Sequence, residues 1–196
     1  MKRFFETIRV QDGQVYHLPF HNARLNATIK AHFNLDANID LKNYIIPPKK
    51  GLFRCKVIYS DTIESVNFYP YTPKNIKSFK LIASNIEYSY KYLDRSHINA
   101  LFAQKGECDD IIIVKNDLLT DTSIANIAFY YKNSWLTPKT PLLPGTTRAR
   151  LMSQKKIFPT DIYKQDLKKF DTMALMNAMI DFMIIKDFTI KASNAL

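Results

Sequence analysis

The sequence predicts an α+β fold divided into two lobes, and three features indicate it. Short stretches that alternate apolar and polar residues recur along the chain, as β-strands do. Segments with apolar residues at helical spacing lie between these strands. Residues 69–73 contain two prolines and have the composition of a linker. We therefore expect a small N-terminal α/β lobe over residues 1–72 and a larger C-terminal lobe over residues 73–196, which carries most of the functional residues.

The first lobe opens with a predicted β-hairpin and a helix. Residues 4–10 alternate and are rich in aromatic and β-branched side chains, and Asp12-Gly13 is typical of a tight hairpin turn before a strand over residues 14–18. Pro19 suits the first turn of a helix, and the apolar spacing after it predicts a helix as far as Phe33. The rest of the lobe is predicted to hold a short helix and two adjacent strands, at residues 39–44, 51–60 and 62–69.

The second lobe is predicted to combine strands with short helices. Residues 110–114 have the composition of a buried strand, and residues 115–117 that of a turn. A Pro-Gly pair, Pro144 and Gly145, precedes a predicted helix over residues 147–154. We expect the strands to form antiparallel runs. The other strands are predicted at residues 79–83, 118–121, 127–131, 134–136, 173–177 and 182–190, and the other helices at residues 96–104 and 164–169.

Composition and charge limit the classes of function. The chain has 196 residues and a formal net charge of +10, but no basic run exceeds two residues. We therefore expect no nucleic-acid partner, and the charge is compatible with a small anionic substrate. No apolar stretch reaches the roughly 20 residues of a membrane helix. For that reason we expect no membrane partner. Cys55 and Cys108 have neither metal-ligand nor disulfide-framework spacing. We therefore expect reduced cysteines, no metal site and a cytoplasmic protein.

Two neighbouring segments carry the residues most suggestive of chemistry. Residues 120–127 supply an acid, hydroxyls and an amide, and residues 143–148 supply a Gly-Thr-Thr turn that opens a helix. Such a turn offers backbone N–H groups and hydroxyls to an oxyanion. The acid, Asp121, can hold a proton on a ring nitrogen, and Lys91 is a candidate for covalent attachment. Together these residues predict a site for a flat cationic ring that carries a phosphate.

An ordered set of short motifs extends this pattern along most of the chain. The sequence resembles the class IV aminotransferases, which are fold-type IV enzymes of pyridoxal 5'-phosphate (PLP), and within that family it most resembles the aminodeoxychorismate lyases. The resemblance implies a two-lobed, D-amino-acid aminotransferase-like fold, here with a shortened N-terminal lobe. The motifs that carry it are, in chain order, residues 5–10 with Asp12-Gly13, His21 with Arg24-Leu25, Lys91 with Arg95, Asp109-Asp110 with residues 111–114, residues 120–127, residues 135–138, residues 143–148, and Asn177-Ala178.

The resemblance implies a role for each matching position. Lys91 would be the Schiff-base lysine, and Thr7, where branched-chain aminotransferases carry glycine, would help to move protons at the substrate. Asp121 would face the pyridine nitrogen. The phosphate would be bound by three residues, Arg24, Thr146 and Thr147. The loop beside Asp121 would be lined or braced by Thr122, Ser123 and Asn126.

Two departures from the family pattern bear on activity. Asp121 stands where the family has glutamate, so its carboxylate is one methylene shorter. We also expect the first lobe to lack an early strand and a Gly-rich segment that in the family usually precede the counterpart of residues 5–10. These departures leave the phosphate-binding motifs intact, so the sequence supports cofactor binding better than it supports turnover.

Three functions are therefore open at the level of sequence. The first is a PLP-dependent lyase that converts 4-amino-4-deoxychorismate to 4-aminobenzoate and pyruvate for folate synthesis. The second is a PLP-dependent aminotransferase acting on a D- or branched-chain amino acid. The third is a non-catalytic member of the family. Thr7, and Ser96 where branched-chain enzymes commonly carry tyrosine, favour the lyase. The resemblance also implies a homodimer.

Overall fold

The computed structural model describes residues 1–192, and the chain divides into two compact units. One unit comprises Met1–Pro73 and Tyr90–Asp94, and the other comprises Lys74–Ser89 and the described residues from Arg95 onward. Strands and helices are mixed in the chain order, and the predicted α+β class is confirmed. The segment Tyr90–Asp94 returns to the N-terminal unit although it follows residues 69–73 along the chain.

The N-terminal unit contains a four-stranded antiparallel sheet with the order β2-β1-β3-β4. The predicted hairpin is confirmed: β1 and β2 are joined by Asp12 and Gly13, whose φ angles of 48° and 82° are left-handed. Glycine adopts this conformation without the steric cost of a Cβ atom, which explains why an Asp-Gly pair occurs there. The four strands are β1 (Phe4–Gln11), β2 (Gln14–Val15), β3 (Leu52–Tyr59) and β4 (Ile63–Pro70).

Helix α1 (Leu18–Phe33) covers one face of this sheet. Its first turn contains a proline, as predicted, and it ends at Asn34, whose left-handed backbone directs its N–H to the carbonyl of Lys30 at 3.1 Å. Alternate residues of β1 pack on the helix, because successive side chains of a strand point to opposite faces. The resulting core includes Phe4, Ile8, Leu25, Ile29 and Val57, all fully buried. The helix predicted at residues 39–44 is a single 3-10 turn, Leu41–Asn43.

The second unit contains a nine-stranded mixed sheet. Seven strands follow the order β10-β9-β8-β7-β6-β5-β13, and the β11–β12 hairpin joins through a pairing of β11 with β8. The strands are β5 (Ser78–Ala83), β6 (Asp110–Lys115), β7 (Leu118–Thr122), β8 (Asn126–Tyr131), β9 (Ser134–Pro138), β10 (Phe158–Thr160), β11 (Thr172–Asn177), β12 (Asp181–Lys186) and β13 (Thr189–Lys191).

Two short α-helices accompany this sheet, α2 (Ser96–Phe102) and α3 (Thr146–Ser153). Short 3-10 helices follow at Ala103–Lys105 and Lys164–Lys169. The core of the unit is formed by large apolar side chains of β5, β6, β8 and β11, among them Phe79, Ile112 and Phe129. Within residues 1–192, no helix is long and apolar enough to span a membrane.

Two predictions about the second unit were wrong, and one of its strands was missed. The strands do not form only antiparallel runs, since β5 pairs in parallel with β6 and β13, and β9 in parallel with β10. The strand predicted over residues 182–190 is interrupted at Asp187, which has a left-handed φ of 57°, so that β12 and β13 lie beside different neighbours. Strand β10 was not predicted, because it has only three residues and contains Pro159.

Candidate active site

Lys91 is fixed in the N-terminal unit by the docking of Tyr90–Asp94 on β1. The N–H of Phe5 donates to the carbonyl of Lys91 at 3.0 Å, and the N–H of Leu93 donates to the carbonyl of Arg3 at 2.9 Å. The rings of Phe4 and Tyr92 lie 5.2 Å apart, centroid to centroid. The backbone of Lys91 is therefore held directly to β1, and the two residues after it are also anchored at the start of that strand.

The side chain of Lys91 extends to the face of β1 that carries Phe5 and Thr7. Its Nζ lies 4.7 Å from the centroid of the Phe5 ring. Thr7 shares that face, because it is two residues along the strand. Lys56, the cross-strand partner of Thr7, places its own Nζ 5.3 Å from the same ring. Two ammonium groups thus lie against one aromatic ring, on the face of β1 that also carries Thr7.

The same face of the sheet carries further positive charge. Arg9 follows Thr7 on this face and pairs with Arg54 on β3, directly beside the Thr7–Lys56 pair. Arg9 lies over the ring of Tyr16 at 5.5 Å, and Arg54 lies over the ring of Tyr69 at 5.2 Å. This arrangement is suited to an anionic ligand.

Arg24 lies on the helix side of β1, where it binds a buried carboxylate. Its Nε donates to Glu6 Oε1 at 2.8 Å and its Nη2 donates to Glu6 Oε2 at 2.5 Å. His21 Nδ1 lies 2.6 Å from Glu6 Oε2. Glu6 is fully buried, His21 is 1% exposed and the Arg24 side chain is 16% exposed. The predicted phosphate-binding arginine is therefore already held by a bidentate ion pair.

Burial and neighbouring charges determine the protonation states of Glu6 and His21. Burial raises the pKa of Glu6, but the positive charge of Arg24 and the hydrogen bond from His21 outweigh it and lower the pKa to about 2. Burial, together with the charges of Arg24 and Lys91, lowers the pKa of His21, although its contacts with Glu6 act to raise it. Since Glu6 is an anion and can only accept, a neutral His21 donates its Nδ1–H.

In the second unit, Asp121 joins the two segments that the sequence singled out. Asn126 Nδ2 donates to Asp121 Oδ1 at 2.7 Å, and the N–H of Leu143 donates to Asp121 Oδ2 at 2.7 Å. Asn126 Nδ2 also donates to the carbonyl of Leu143 at 2.8 Å. One carboxylate and one amide thereby fix the start of β8 against the turn that precedes α3.

Asp121 differs from Glu6 in its protonation. Burial raises the pKa of Asp121 to about 7, although the N–H of Leu143, the amide of Asn126 and the charge of Arg148 each act to lower it. Arg148 does not bind this carboxylate directly; its Nη2 donates to the carbonyl of Pro138 at 2.8 Å. Asp121 can therefore hold or release a proton near neutral pH.

Gly145 is required by the close approach of Asn126. A Cβ atom at position 145 would overlap Asn126 Oδ1 and lie 3.1 Å from its Cγ. The φ of Gly145 is −73°, so the residue is needed for space rather than for its backbone conformation. A glycine here lets the turn before α3 lie directly on the Asp121–Asn126 pair.

Thr146 and Thr147 form the beginning of α3. Both are buried, with 7% and 4% exposure, and among residues 1–192 no side chain caps the helix start. Backbone N–H groups at an uncapped helix N-terminus, together with two hydroxyls, are favourable partners for a phosphate.

Thr122 and Ser123 form the tight loop beside Asp121. Thr122 Oγ1 accepts from the N–H of Ala125 at 3.0 Å. The carbonyl of Ser123 accepts from Arg95 Nη2 at 2.8 Å, and the N–H of Ser123 donates to buried Asp110 Oδ1 at 3.4 Å. The loop is thus braced from two sides, and its role toward a cofactor stays a prediction.

The structure groups the predicted residues into two sets. Lys91, Thr7 and Arg24 lie in the N-terminal unit. The other set, in the second unit, consists of Asp121, Thr122, Ser123, Asn126, Thr146 and Thr147. Sequence reasoning overlooked Glu6, although a charged residue at an apolar position of an alternating strand must be paired. His21 and Arg24, one helical turn apart, were the signal for that pair.

The family to which the chain belongs follows from comparison with known proteins. The sequence profile of the family described as Amino-transferase class IV matches residues 89–188. The chain is a member of the class IV aminotransferase family, whose enzymes use PLP. The matched region begins just before Lys91 and extends through β12.

Individual relatives cover nearly the whole chain. An uncharacterized protein of Haemophilus influenzae Rd is 37% identical over 188 residues, which are 91% of this chain and 98% of that protein. A crystal structure of a protein from Haemophilus somnus 129PT, provisionally named 4-amino-4-deoxychorismate lyase, has a TM-score of 0.84 and 35% identity, and covers 91% of this chain and 97% of its own.

Two more distant relatives carry informative names. A protein of Schizosaccharomyces pombe provisionally named aminodeoxychorismate lyase is 25% identical over 89% of this chain and 84% of its own length. A structure named a hypothetical aminotransferase from Mycobacterium tuberculosis, in its PLP-bound form, has a TM-score of 0.78 and 19% identity, and covers 97% of this chain and 81% of its own. At that identity, the likeness concerns the fold.

The contact between Gly145 and Asn126 predicts a steric effect of substitution. Gly145→Ala should lower the free energy of unfolding by about 1–3 kcal/mol, the usual cost of overpacking. Asn126→Ala removes the overlapping side chain, so Gly145→Ala should cost clearly less in that background. Urea unfolding of the four proteins measures the coupling. Equal costs in both backgrounds would show that the close approach is not the cause.

Burial of Asp121 predicts a pH dependence of stability. The folded protein keeps this proton up to about pH 7, whereas the unfolded chain releases it near pH 4, so the folded state binds more protons between these values. Stability contributed by Asp121 therefore falls as pH rises through that window. Each pH unit corresponds to about 1.4 kcal/mol, so the wild type should lose about 4 kcal/mol relative to Asp121→Asn between pH 4 and pH 7.

Urea unfolding of both proteins without added ligand, at several pH values in this range, measures that difference. Comparison with the variant removes the contributions of Glu6 and His21, which are common to both. Parallel stability curves would mean that Asp121 has an ordinary pKa.

Proposed function

We propose that this protein is a PLP-dependent 4-amino-4-deoxychorismate lyase, which releases pyruvate and 4-aminobenzoate for folate synthesis. The observation that carries the proposal is the placement of Lys91 against the Phe5 ring, on the face of β1 that also carries Thr7. It combines a primary amine with a hydroxyl that the lyases have and the branched-chain aminotransferases lack. The names of the relatives from Haemophilus somnus and Schizosaccharomyces pombe support the same activity.

Each unit, taken by itself, carries residues that fit a chemical group of PLP. In the second unit, the helix start with two buried threonines, Thr146 and Thr147, suits a phosphate. In the N-terminal unit, the positive charge of Arg24 also suits a phosphate. A carboxyl that titrates near pH 7, that of Asp121, suits the ring nitrogen. Although aspartate is shorter than glutamate, Asp121 is held by Leu143 and is not free to turn away. Bound PLP supplies an electron sink for the bonds of an attached substrate amine.

The chain's own residues have distinct tasks in the proposed reaction. Lys91 Nζ would hold the cofactor through its aldehyde, and the same amine, when not engaged there, would take the proton from the substrate ring carbon that bears the amino group. Lys91 or Thr7 would then protonate the departing enolpyruvate carbon. Asp121 would keep a proton at the ring nitrogen.

The charge of the first sheet supports an anionic substrate. Lys56, Arg9 and Arg54 share the face that carries Thr7. Within residues 1–192, Lys56 forms no ion pair with an acidic side chain. An aminodeoxychorismate molecule has two carboxylates, which such a face would attract.

Lys91 is predicted to be the site of covalent attachment. The wild type should become yellow on incubation with PLP, and borohydride reduction followed by peptide mass spectrometry should locate the added mass on Lys91. Lys91→Ala should remove both signals. Lys56→Ala is the matched control, since Lys56 contacts the same Phe5 ring and should leave the labelling of Lys91 intact. Failure of the wild type to bind PLP would refute both the lyase and the aminotransferase.

The hydroxyl of Thr7 is predicted to act in turnover. Thr7→Val keeps the shape of the side chain but removes the hydroxyl, and it should lower kcat for pyruvate release from aminodeoxychorismate by about 10²-fold, the low end of proton-transfer catalysis. Thr7→Ser should keep most of the activity. Equal rates for wild type and Thr7→Val would remove this residue from the mechanism.

The same assay separates the lyase from the other functions. Exchange of amino groups between D- or branched-chain amino acids and 2-oxo acids, without pyruvate release, would identify an aminotransferase. A yellow protein with neither activity would be a non-catalytic family member. A homodimer and a cytoplasmic location also remain predictions, and analytical ultracentrifugation would test the first.

A further inference from the structure

Glu6 is a buried charge that the proposed chemistry does not use. It occupies a position of β1 between Phe4 and Ile8, whose side chains form the core against α1. An ionised carboxylate in such a place is costly unless it is paired, and an apolar residue would often be at least as stable. Stability alone therefore does not explain why a fully buried anion occupies this core position, and a further role of Glu6 would.

The geometry of the pair indicates that role. A guanidinium is a planar group with five N–H donors, and Glu6 engages the edge formed by Nε and Nη2. Two parallel hydrogen bonds to one carboxylate fix the plane of Arg24 as well as its position. His21, buried in turn, holds the carboxylate through a 2.6 Å contact to Oε2. The Arg24 side chain is 16% exposed, so it is less deeply buried than Glu6 and His21, which hold its orientation.

We propose that Glu6, braced by His21, is a positioning residue that presents Arg24 to the phosphate of PLP. This inference rests on the proposed function, in which Arg24 contacts that phosphate. Glu6 touches neither cofactor nor substrate. Its effect would be to hold the guanidinium in one orientation before the cofactor arrives, which removes the ordering cost from the binding step.

A simple electrostatic account predicts the opposite effect. If Glu6 only neutralised Arg24, removing its charge would leave Arg24 more attractive to the dianionic phosphate, and PLP would bind more tightly. If Glu6 positions Arg24, the same change would release the guanidinium, and PLP would bind more weakly. The two accounts therefore differ in the sign of one measured change.

The experiment compares PLP with pyridoxal, which has the same aldehyde but no phosphate. The ratio of the dissociation constants, pyridoxal over PLP, measures how much the phosphate contributes. For Glu6→Gln we expect this ratio to fall at least 10-fold, while pyridoxal affinity changes little. A structural defect alone would weaken both ligands and leave the ratio unchanged.

Glu64→Gln is the matched control. Glu64 lies on β4 of the same sheet and also accepts from an arginine through two nitrogens, Arg3 Nε at 2.7 Å and Nη2 at 2.6 Å, but this pair is exposed. The substitution changes the net charge by the same amount, so the ratio should stay at the wild-type value. Glu6→Asp is a second test variant, because it keeps the charge and shortens the side chain. Positioning predicts a lower ratio for Glu6→Asp, whereas neutralisation predicts that the ratio stays at the wild-type value.

The outcomes are separable from a failure of the proposed function. A wild type that forms no coloured adduct with PLP contradicts the proposed function itself. A wild type that binds PLP, with a ratio that is unchanged or raised in both Glu6→Gln and Glu6→Asp, overturns the positioning role alone. A ratio lowered in both variants and constant in Glu64→Gln supports it. Should Glu6→Gln fail to fold, Glu6→Asp decides between the two accounts.

Discussion

The docking of Tyr90–Asp94 on β1 is the constraint on which the proposed chemistry depends. A backbone hydrogen bond from Phe5 and the packing of Tyr92 on Phe4 bring a segment from beyond the linker back to the first sheet. Lys91 owes its position beside Phe5 and Thr7 to these contacts rather than to a helix or strand of its own. A lysine on a mobile loop would sample many orientations in solvent. The docking of Tyr90–Asp94 limits these orientations, so that the Lys91 amine can act as a nucleophile at a defined place.

Each unit contains a buried carboxylate, and the pKa values of the two are shifted in opposite directions. Glu6 meets a guanidinium at hydrogen-bond distance, and the pKa falls to about 2. Asp121 receives only neutral N–H donors, while Arg148 donates elsewhere, and burial raises the pKa to about 7. The first group is a permanent anion suited to holding a cation in place. The second can carry a proton at neutral pH, as a partner of a ring nitrogen must.

Local patterns in the sequence were sufficient for much of the fold. Asp12-Gly13, Pro19 and the alternation of β1 predicted the hairpin and α1, because turn chemistry and apolar periodicity act over a few residues. The parallel pairings of β5 and the interruption at Asp187 were missed, since neighbours in a mixed sheet are chosen by long-range packing. Likewise, no local pattern in the sequence indicates that the segment containing Lys91 returns to the N-terminal unit.

For the candidate site, the sequence supplied residue types and the structure supplied their partners. Asp121 and Asn126 were chosen from a motif, but their shared hold on the turn before α3 depends on residues 17 or more positions away. Gly145 was noted as part of a turn, whereas the reason for it is the side chain of Asn126. Glu6 could have been found, because the alternation of β1 placed a charge in the core opposite His21 and Arg24.

The central claim is that Lys91 Nζ is the nitrogen that meets the cofactor aldehyde. A crystal structure of the protein soaked with PLP tests it most directly. The account predicts continuous electron density from Lys91 Nζ to the aldehyde carbon of the cofactor. Density that joins PLP to another lysine, or PLP bound with Lys91 still against the Phe5 ring and unbonded, would contradict it.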